Sequence, residues 1–324
     1  MSENKKLLDI KDLHVSFHLR AGILQAVRGV NLILNAGETV GIVGESGSGK
    51  SVMAKAIIRL NPTPPAKTTG EIYLDGMDNL SLSASQLREV RGRKVSMIFQ
   101  EPMTSLNPVF NIGQQITAGI ITHLKTSKSE ALDRSADLLD KVGIPSPRER
   151  LKQYPHELSG GMRQRVMMAM ALSCNPTLLI ADEPTTALDV TIQAQILDLL
   201  ADTIVKRNMS LILISHDLYV VADACEKISV MYAGRQVEVG PTTEVFKNPR
   251  HPYTIGLKES QPAIGQKTDY LKQIPGMVPD MLKAPSGCAF HPRCQYAEER
   301  CSEEIPELKA IGPEHSIACP PFEN

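Results

Sequence analysis

The sequence carries, at residues 44–51, the stretch Gly44-Glu45-Ser46-Gly47-Ser48-Gly49-Lys50-Ser51, which matches the pattern G-x-x-x-x-G-K-[ST]. A short apolar segment, Thr39–Val43, precedes this stretch, and residues 51–60 follow it with helical spacing. Glycines allow consecutive backbone N–H groups to turn inward around phosphate oxygens without Cβ clashes. A chance glycine turn is the alternative, and the strand–loop–helix setting argues against it. The stretch therefore predicts a phosphate-binding loop in an α/β fold.

The same stretch supplies groups suited to a nucleoside triphosphate. Lys50 offers a positive charge to the β- and γ-phosphates, and the Ser51 hydroxyl can ligate Mg²⁺. The N-terminus of the following helix adds a favourable dipole for an anion. The candidate ATP-binding residues in this segment are Gly44, Glu45, Ser46, Gly47, Ser48, Gly49, Lys50, Ser51 and Val52. ATP and Mg²⁺ are therefore the expected ligands.

The apolar pattern outside the loop indicates a layered α/β core. Residues 13–17 and 30–34 alternate like strands with one buried face, whereas 177–181 and 211–215 are predominantly apolar. Residues 192–204, between the latter two segments, have the spacing of an amphipathic helix. Strands that alternate with helices predict a mostly parallel sheet.

Composition divides the chain and limits its partners. Pro, Gly and Cys become frequent near residue 250, which predicts a main domain over 1–250 and a small module over 251–324.

Lys and Arg total 35 against 36 Asp and Glu, Trp is absent and aromatics make up 4%, so nucleic acid is not an expected partner. The N-terminus has no secretory apolar core, and no apolar run approaches the ~20 residues that span a bilayer. At a membrane, other chains would have to supply the span.

Two further segments carry chemistry at the ends of predicted strands. Asp182 and Glu183 follow an apolar strand, and next to a phosphate loop they are candidates for the Mg²⁺ ligand and for the group that orients or deprotonates the attacking water. His216 ends the next strand and could contact the γ-phosphate. Taken alone, such acids are often solvated, and a histidine at a strand end is often a structural polar cap.

The stretch Leu158-Ser159-Gly160-Gly161-Met162-Arg163-Gln164 is the deciding motif. Ser159 is a good N-cap, so an ordinary helix start is one interpretation. Two glycines in the first turn, however, leave backbone N–H groups bare to an anion. Here the chain resembles the ABC ATPases, whose motifs occur in the same order: the glycine loop, Gln100, this signature, Asp182-Glu183, the stretch 186–189 and His216.

The resemblance implies an ABC ATPase core with an antiparallel β subdomain and a helical subdomain over about 102–165. It also implies head-to-tail pairing of two subunits, with Asp189 at the dimer seam and Gln100 as a Mg²⁺ contact that communicates with membrane domains. Met162 stands where many relatives have Gln. Phe17 is either the aromatic residue that stacks on adenine or a buried strand residue. The signature residues expected to act on the partner's ATP are Ser159, Gly160, Gly161, Met162 and Gln164.

A narrower resemblance, to dipeptide and oligopeptide permease ATP-binding subunits, rests on the stretches 100–108, 251–254, 274–276 and 287–294. It implies import of peptides at the cytoplasmic face of the membrane, as a peripheral protein. The implied partners are a second ATPase subunit, two permease subunits and an external or periplasmic binding protein. Import of nickel or another small solute, and a soluble ABC ATPase outside transport, are the alternatives.

Four of the six cysteines lie near the C-terminus: Cys288, Cys294, Cys301 and Cys319. Because no export signal is present, this clustering favours metal ligation over disulfides. The spacings of five, six and seventeen intervening residues fit neither tight zinc pairs nor the common ferredoxin run, and unligated thiols are an alternative. The resemblance favours a [4Fe–4S] cluster, with zinc as the alternative. Cys174 and Cys225 are expected to be packing residues.

Overall fold

The computed structural model describes residues 5–186, 189–261 and 272–322. The chain divides into two compact units: unit 1 contains Met1–Leu80 and Leu213–Asn324, and unit 2 contains Ser81–Ile212.

Unit 1 begins with a long hairpin and the strand–loop–helix segment. Its elements are β1 (Lys6–Leu19), β2 (Gly22–Asn35), β3 (Thr39–Val43), α1 (Lys50–Ile57), β4 (Ala66–Leu74) and β5 (Met77–Asp78). The strands β2-β1-β4-β5 form an antiparallel sheet in that order. In β1 the buried side chains alternate, as at Leu13 and Val15, which is the period that the sequence predicts for a strand with one buried face.

Unit 2 contains most of the helices. Its elements are α2 (Ala84–Val90), β6 (Val95–Ile98), α3 (Pro102–Ser105), α4 (Ile112–Leu124), α5 (Lys128–Lys141), α6 (Pro147–Arg150), α7 (Gly160–Leu172), β7 (Leu178–Asp182) and α8 (Val190–Arg207). Ser83, Asn111 and Ser127 begin α2, α4 and α5 with reciprocal capping boxes. The strands β6 and β7 pair in parallel.

The boundary between the units falls within β8 (Ser210–Ser215). Unit 1 continues with α9 (Leu218–Ala224), β9 (Lys227–Tyr232), β10 (Arg235–Pro241), α10 (Thr242–Lys247), α11 (Pro252–Glu259), α12 (Glu299–Glu303), β11 (Lys309–Gly312) and β12 (His315–Ile317). Single 3₁₀ turns occur at Pro155–Glu157, His291–Arg293 and Pro320–Phe322.

The larger sheet is mixed, so the prediction of a mostly parallel sheet is correct only in part. In unit 1 the strand order is β11-β12-β10-β9-β3; β3 and β9 are parallel, whereas β9, β10, β12 and β11 pair antiparallel. The reversal occurs because Ala233 and Gly234 join β9 to β10 as a two-residue turn with φ values of 46° and 79°. Positive φ at both central residues is the geometry of a tight antiparallel hairpin.

No helix within the described ranges is long and apolar enough to cross a membrane.

Candidate nucleotide-binding site

The glycine-rich stretch forms the loop between β3 and α1 in unit 1. Gly47 and Gly49 have φ values of 81° and 98°, a left-handed region that glycine adopts without strain. A Cβ on Gly49 would lie 2.3 Å from the Ala26 carbonyl oxygen, which is closer than non-bonded atoms approach. The loop therefore has both the conformation and the close packing for which the sequence uses glycine.

Lys50 is buried at the start of α1 and points its ammonium group into the loop. Its Nζ donates hydrogen bonds to the carbonyl oxygens of Gly44 (2.6 Å) and Glu45 (2.9 Å) and lies 3.4 Å from Ser48 Oγ. Ser51 and Val52 continue the first turn of α1 and are half-buried. The ammonium group of Lys50 and the N-terminus of α1 thus lie next to each other. Both favour an anion, so the position suits the β- and γ-phosphates of a nucleotide.

Two other predicted residues of unit 1 lie in its strands or at their ends. Phe17 is half-buried in β1, opposite Leu24 of β2 and Ala66 of β4. His216 is exposed directly after β8, and its carbonyl oxygen accepts a hydrogen bond from Gln261 Nε2 (2.8 Å). The backbone carbonyl of this histidine is therefore held by a residue that follows α11.

In unit 2 the predicted catalytic carboxylate is fixed from two sides. Glu183 Oε2 accepts hydrogen bonds from Gln100 Nε2 (3.1 Å) and from Thr186 Oγ1 (2.8 Å). Glu183 also has a φ of 46°, which is uncommon for a residue with a side chain and is often found at functional sites. Asp182, the last residue of β7, is 2% exposed. The structure thus brings Gln100 and Glu183 together at the end of this strand.

The signature motif begins α7. Ser159 is the N-cap, and its Oγ accepts a hydrogen bond from the Met162 N–H at 3.4 Å. A Cβ on Gly160 would meet no atom within 4 Å, whereas one on Gly161 would lie 3.1 Å from Ile192 Cγ2. Gln164 is buried, and its Nε2 donates to the carbonyl oxygen of Pro184 at 2.5 Å. The first turn of α7 is therefore open at Ser159 and Gly160, while Gln164 ties the helix to the residue after Glu183.

The stretch 186–189 is described only at its ends. Asp189 is exposed and caps α8, since its Oδ1 accepts a hydrogen bond from the Ile192 N–H (3.0 Å). Ala187 and Leu188 lie outside the described residues.

The four C-terminal cysteines line one pocket, together with His251, Phe290 and neighbouring prolines: Cys288, Cys294, Cys301 and Cys319. Burial raises the pKa of the Cys288 and Cys294 thiols, and burial together with the neighbouring thiols raises the pKa of Cys319 to about 12. All are free thiols, as are the two buried cysteines Cys174 and Cys225.

The predicted four-cysteine metal site is not supported by this arrangement. Within the described ranges, no group of three or more His, Cys, Asp or Glu side chains could hold a metal ion.

Two side chains outside the predicted set bind Glu45 in the phosphate loop. The Glu45 N–H donates to Tyr253 Oη (2.7 Å), and the Glu45 carboxylate pairs with the Arg293 guanidinium at 2.7 Å. In the sequence, the segments 251–254 and 287–294, which contain these two residues, are notable only because they resemble the peptide permease ATP-binding subunits. Nothing in their local pattern indicates that they reach residue 45.

Two family models match the chain, and both describe transporters. A model described as ABC transporter matches residues 27–186, and one described as the C-terminal region of oligopeptide/dipeptide transporters matches residues 237–301.

Relatives match over almost the whole chain. The oligopeptide transport ATP-binding protein OppD of Bacillus subtilis is 51% identical, over 96% of this chain and 88% of that protein. The protein of the same name from Escherichia coli is 49% identical, over 97% of this chain and 92% of its own length.

Two solved structures show the same fold. A dimeric ATP-binding cassette in a post-hydrolysis state, bound to ADP and phosphate, is 28% identical and has a TM-score of 0.66 over 72% of this chain and 98% of that one. CbiO1 from Clostridium perfringens, part of the ABC transporter complex cbiONQ, is 27% identical with a TM-score of 0.62, over 75% and 92% of the two chains.

Proposed function

The chain belongs to the ABC transporter family of ATP-binding subunits, and on that premise we propose that it hydrolyses MgATP to power the import of oligopeptides or dipeptides. Relatives about 50% identical over nearly the full length carry the name of oligopeptide transport ATP-binding proteins. The match to the C-terminal region of oligopeptide and dipeptide transporters favours peptides over nickel or another solute as cargo. The observation that carries the hydrolytic step is the Glu183 carboxylate, held by Gln100 and Thr186.

We infer a division of roles among the site residues. Residues 44–52 bind the phosphates, with Lys50 as the fixed cation, and Phe17 contacts the adenine. Ser51, Gln100 and Asp182 carry the oxygen donors that Mg²⁺ prefers. When bound, this ion would neutralise part of the phosphate charge. Glu183 orients the attacking water and accepts its proton, and His216 contacts the γ-phosphate.

We further propose that the signature residues serve a nucleotide bound by a second subunit. The open first turn of α7 supports this, because Ser159 and Gly160 are exposed and a Cβ on Gly160 would meet no packing neighbour within 4 Å. The similar cassette of known structure is a dimer. Asp189, exposed at the start of α8, would lie at the dimer seam.

The proposed assembly has two ATPase subunits, two membrane permeases and an external substrate-binding protein. In it, the chain lies peripherally at the cytoplasmic face of the membrane. The experiment that tests the function is reconstitution of the chain with these partners in proteoliposomes, followed by uptake of labelled peptide or Ni²⁺ with and without ATP. ATP-driven uptake of peptide that Lys50→Ala abolishes is expected. Uptake of Ni²⁺ but not peptide, or uptake insensitive to Lys50→Ala, would contradict the proposal.

We keep a metal centre at the four C-terminal cysteines as a separate proposal, supported by their shared pocket and their all-sulfur donor set. Bound iron or zinc would hold the thiols as thiolates and stabilise a module with little core of its own. Analysis of iron, sulfide and zinc in protein purified without oxygen tests this. Stoichiometric iron and sulfide would support a [4Fe–4S] cluster, stoichiometric zinc would replace it with a zinc site, and metal-free folded protein would remove both.

A further inference from the structure

Glu45 in the phosphate loop forms a two-pronged ion pair with Arg293, 248 residues later in the chain. Arg293 Nη1 donates to Glu45 Oε2 at 2.7 Å and Nη2 donates to Oε1 at 3.0 Å. The Arg293 side chain is only 5% exposed and that of Glu45 is 26% exposed. Paired donors of this kind make the strongest arginine–carboxylate contacts, and partial burial reduces screening by solvent.

Arg293 is itself fixed by residues of the C-terminal module and by Tyr232 at the end of β9. Its Nε donates to the Pro275 carbonyl oxygen at 2.8 Å, and Nη1 lies 3.3 Å from Tyr232 Oη. The guanidinium carbon also lies 5.8 Å from the centre of the Tyr232 ring and 5.9 Å from that of Phe290. Although burial works against the charged form, the bonds to Glu45 and Tyr232 raise the pKa of Arg293. The guanidinium is therefore a charged group with a fixed position.

An anion-binding loop is an unfavourable place for a free carboxylate. Glu45 is the second residue of the loop, one position after Gly44 and five before Lys50. An unpaired negative charge there would repel the phosphates of a nucleotide and compete for the charge of Lys50. Arg293 cancels that charge without occupying the loop.

We propose that Arg293 sets the nucleotide affinity of the phosphate loop by neutralising Glu45. The proposal rests on the binding of MgATP at this loop, as proposed above. It makes Arg293 a positioning residue, supplied by the C-terminal module, that acts on the nucleotide only through Glu45. A simple structural staple would behave differently, because its loss would not depend on the charge left at Glu45.

The test measures MgATP binding by calorimetry in the full chain for three variants: Arg293→Gln, Glu45→Gln and the double variant. Arg293→Gln leaves the carboxylate unpaired and is expected to weaken binding about fivefold at low salt. Glu45→Gln removes the repelling charge and is expected to bind MgATP at least as tightly as the wild type. The double variant has neither charge and is expected to return to within about twofold of the wild type.

Salt distinguishes the electrostatic effect from a loss of structure. Raising the ionic strength from about 0.05 M to about 0.5 M should remove most of the defect of Arg293→Gln, because screening shortens the reach of the carboxylate. Arg300→Gln is the matched control: Arg300 pairs with Glu298 in the same module, and both side chains are about half exposed, so this pair lacks the buried arginine that contacts Glu45. This control should bind MgATP like the wild type.

Several results would overturn the proposal. These are wild-type affinity in folded Arg293→Gln, weaker binding in Glu45→Gln, and a double variant as defective as Arg293→Gln. If Arg293→Gln does not fold, the MgATP affinities of Glu45→Gln and of the double variant test the proposal. Weaker binding than the wild type in either one contradicts it. Failure of the wild type itself to bind MgATP would instead overturn the proposed function.

Discussion

At the scale of single residues, Glu183 combines an uncommon backbone conformation with a carboxylate held by two donors. Such conformations cost of order 1–3 kcal/mol and persist where the surroundings fix them. The bonds from Gln100 and Thr186 both go to Oε2, so the position of this carboxylate depends on two separate segments of the chain.

Glu183→Gln is therefore expected to preserve MgATP binding and to lower turnover by at least about a hundredfold, since the amide keeps the shape but cannot accept a proton. Steady-state phosphate release and calorimetry on the same preparation measure the two quantities. Thr186→Val is the companion variant: it removes one donor and leaves the carboxylate, so it should reduce turnover less than Glu183→Gln does. Near-normal turnover in Glu183→Gln would remove Glu183 from the mechanism.

In the proposed mechanism Lys50 differs from Glu183, because its charge would act on the bound phosphates before any reaction. Lys50→Ala should weaken MgATP binding itself, by about tenfold or more, because a buried ammonium between two loop carbonyls has no substitute. Lys55→Ala, in the last turn of the same helix, is the control and should bind normally. Equal affinities in the two variants would contradict the assignment of Lys50.

At the scale of elements, α11 begins with a buried histidine. His251 Nδ1 accepts a hydrogen bond from the Tyr253 N–H (3.1 Å), which caps the helix and requires that nitrogen to be unprotonated. The backbone N–H of His251 donates to the buried carboxylate of Glu238 (3.0 Å). Burial lowers the pKa of the His251 imidazole to about 3, from an ordinary value of 6.5.

The free energy of unfolding is therefore expected to fall as the pH drops below 6.5. The unfolded chain binds a proton at this histidine below its ordinary pKa, whereas the folded chain does not until about pH 3, so stability decreases through that window by up to about 1.4 kcal/mol per pH unit. Urea titrations between pH 7 and pH 4 measure the slope. His251→Asn keeps a side-chain acceptor at the N-cap without a titrating group and should show a shallower slope. Identical slopes would mean that His251 does not titrate on unfolding.

Local signals explain which elements the sequence predicts well. The helix expected over 128–142 is observed as Lys128–Lys141, because Ser127 and Glu130 form a capping box at its start. The helix after the phosphate loop ends at Ile57, three residues before the predicted end, since Arg59 adopts a positive φ of 51°. The β9–β10 hairpin is absent from the prediction because its turn, Ala233-Gly234, carries only one glycine and resembles no strong turn signal.

Local signals also explain which parts of the candidate site the sequence predicts. The loop, Asp182-Glu183 and the start of α7 lie in contiguous stretches, so the sequence indicates them directly. The link between Glu45 and Arg293 spans 248 residues, and the bond from Gln100 to Glu183 spans 83. No periodicity encodes such pairings, because they depend on how distant parts of the chain fold together.

At the scale of the whole molecule, the proposed pairing of two subunits separates binding from turnover. Ser159→Arg should impair hydrolysis of the nucleotide bound by the partner subunit, because a long cation would fill the open first turn of α7. The affinity of the isolated variant chain for MgATP should stay within about twofold of the wild type, as its own loop is unchanged. Turnover of a heterodimer, with the variant in one subunit at a time, measures the first effect. A large loss of affinity in the isolated chain would show that the motif serves its own loop.

The open space around Gly160 has a consequence for inheritance. Nothing in the described part of this chain would clash with a methyl group there, and alanine forms helices more readily than glycine. Folding alone would thus let this position drift toward alanine over generations. If the glycine is retained, the proposed role predicts that the pressure retaining it comes from the nucleotide of a partner subunit, so the fitness cost of changing it would fall on the assembly and not on the fold of this chain. A survey of variants scored once for abundance and once for growth on peptides would separate the two pressures, with Gly160→Ala harmless in the first and harmful in the second.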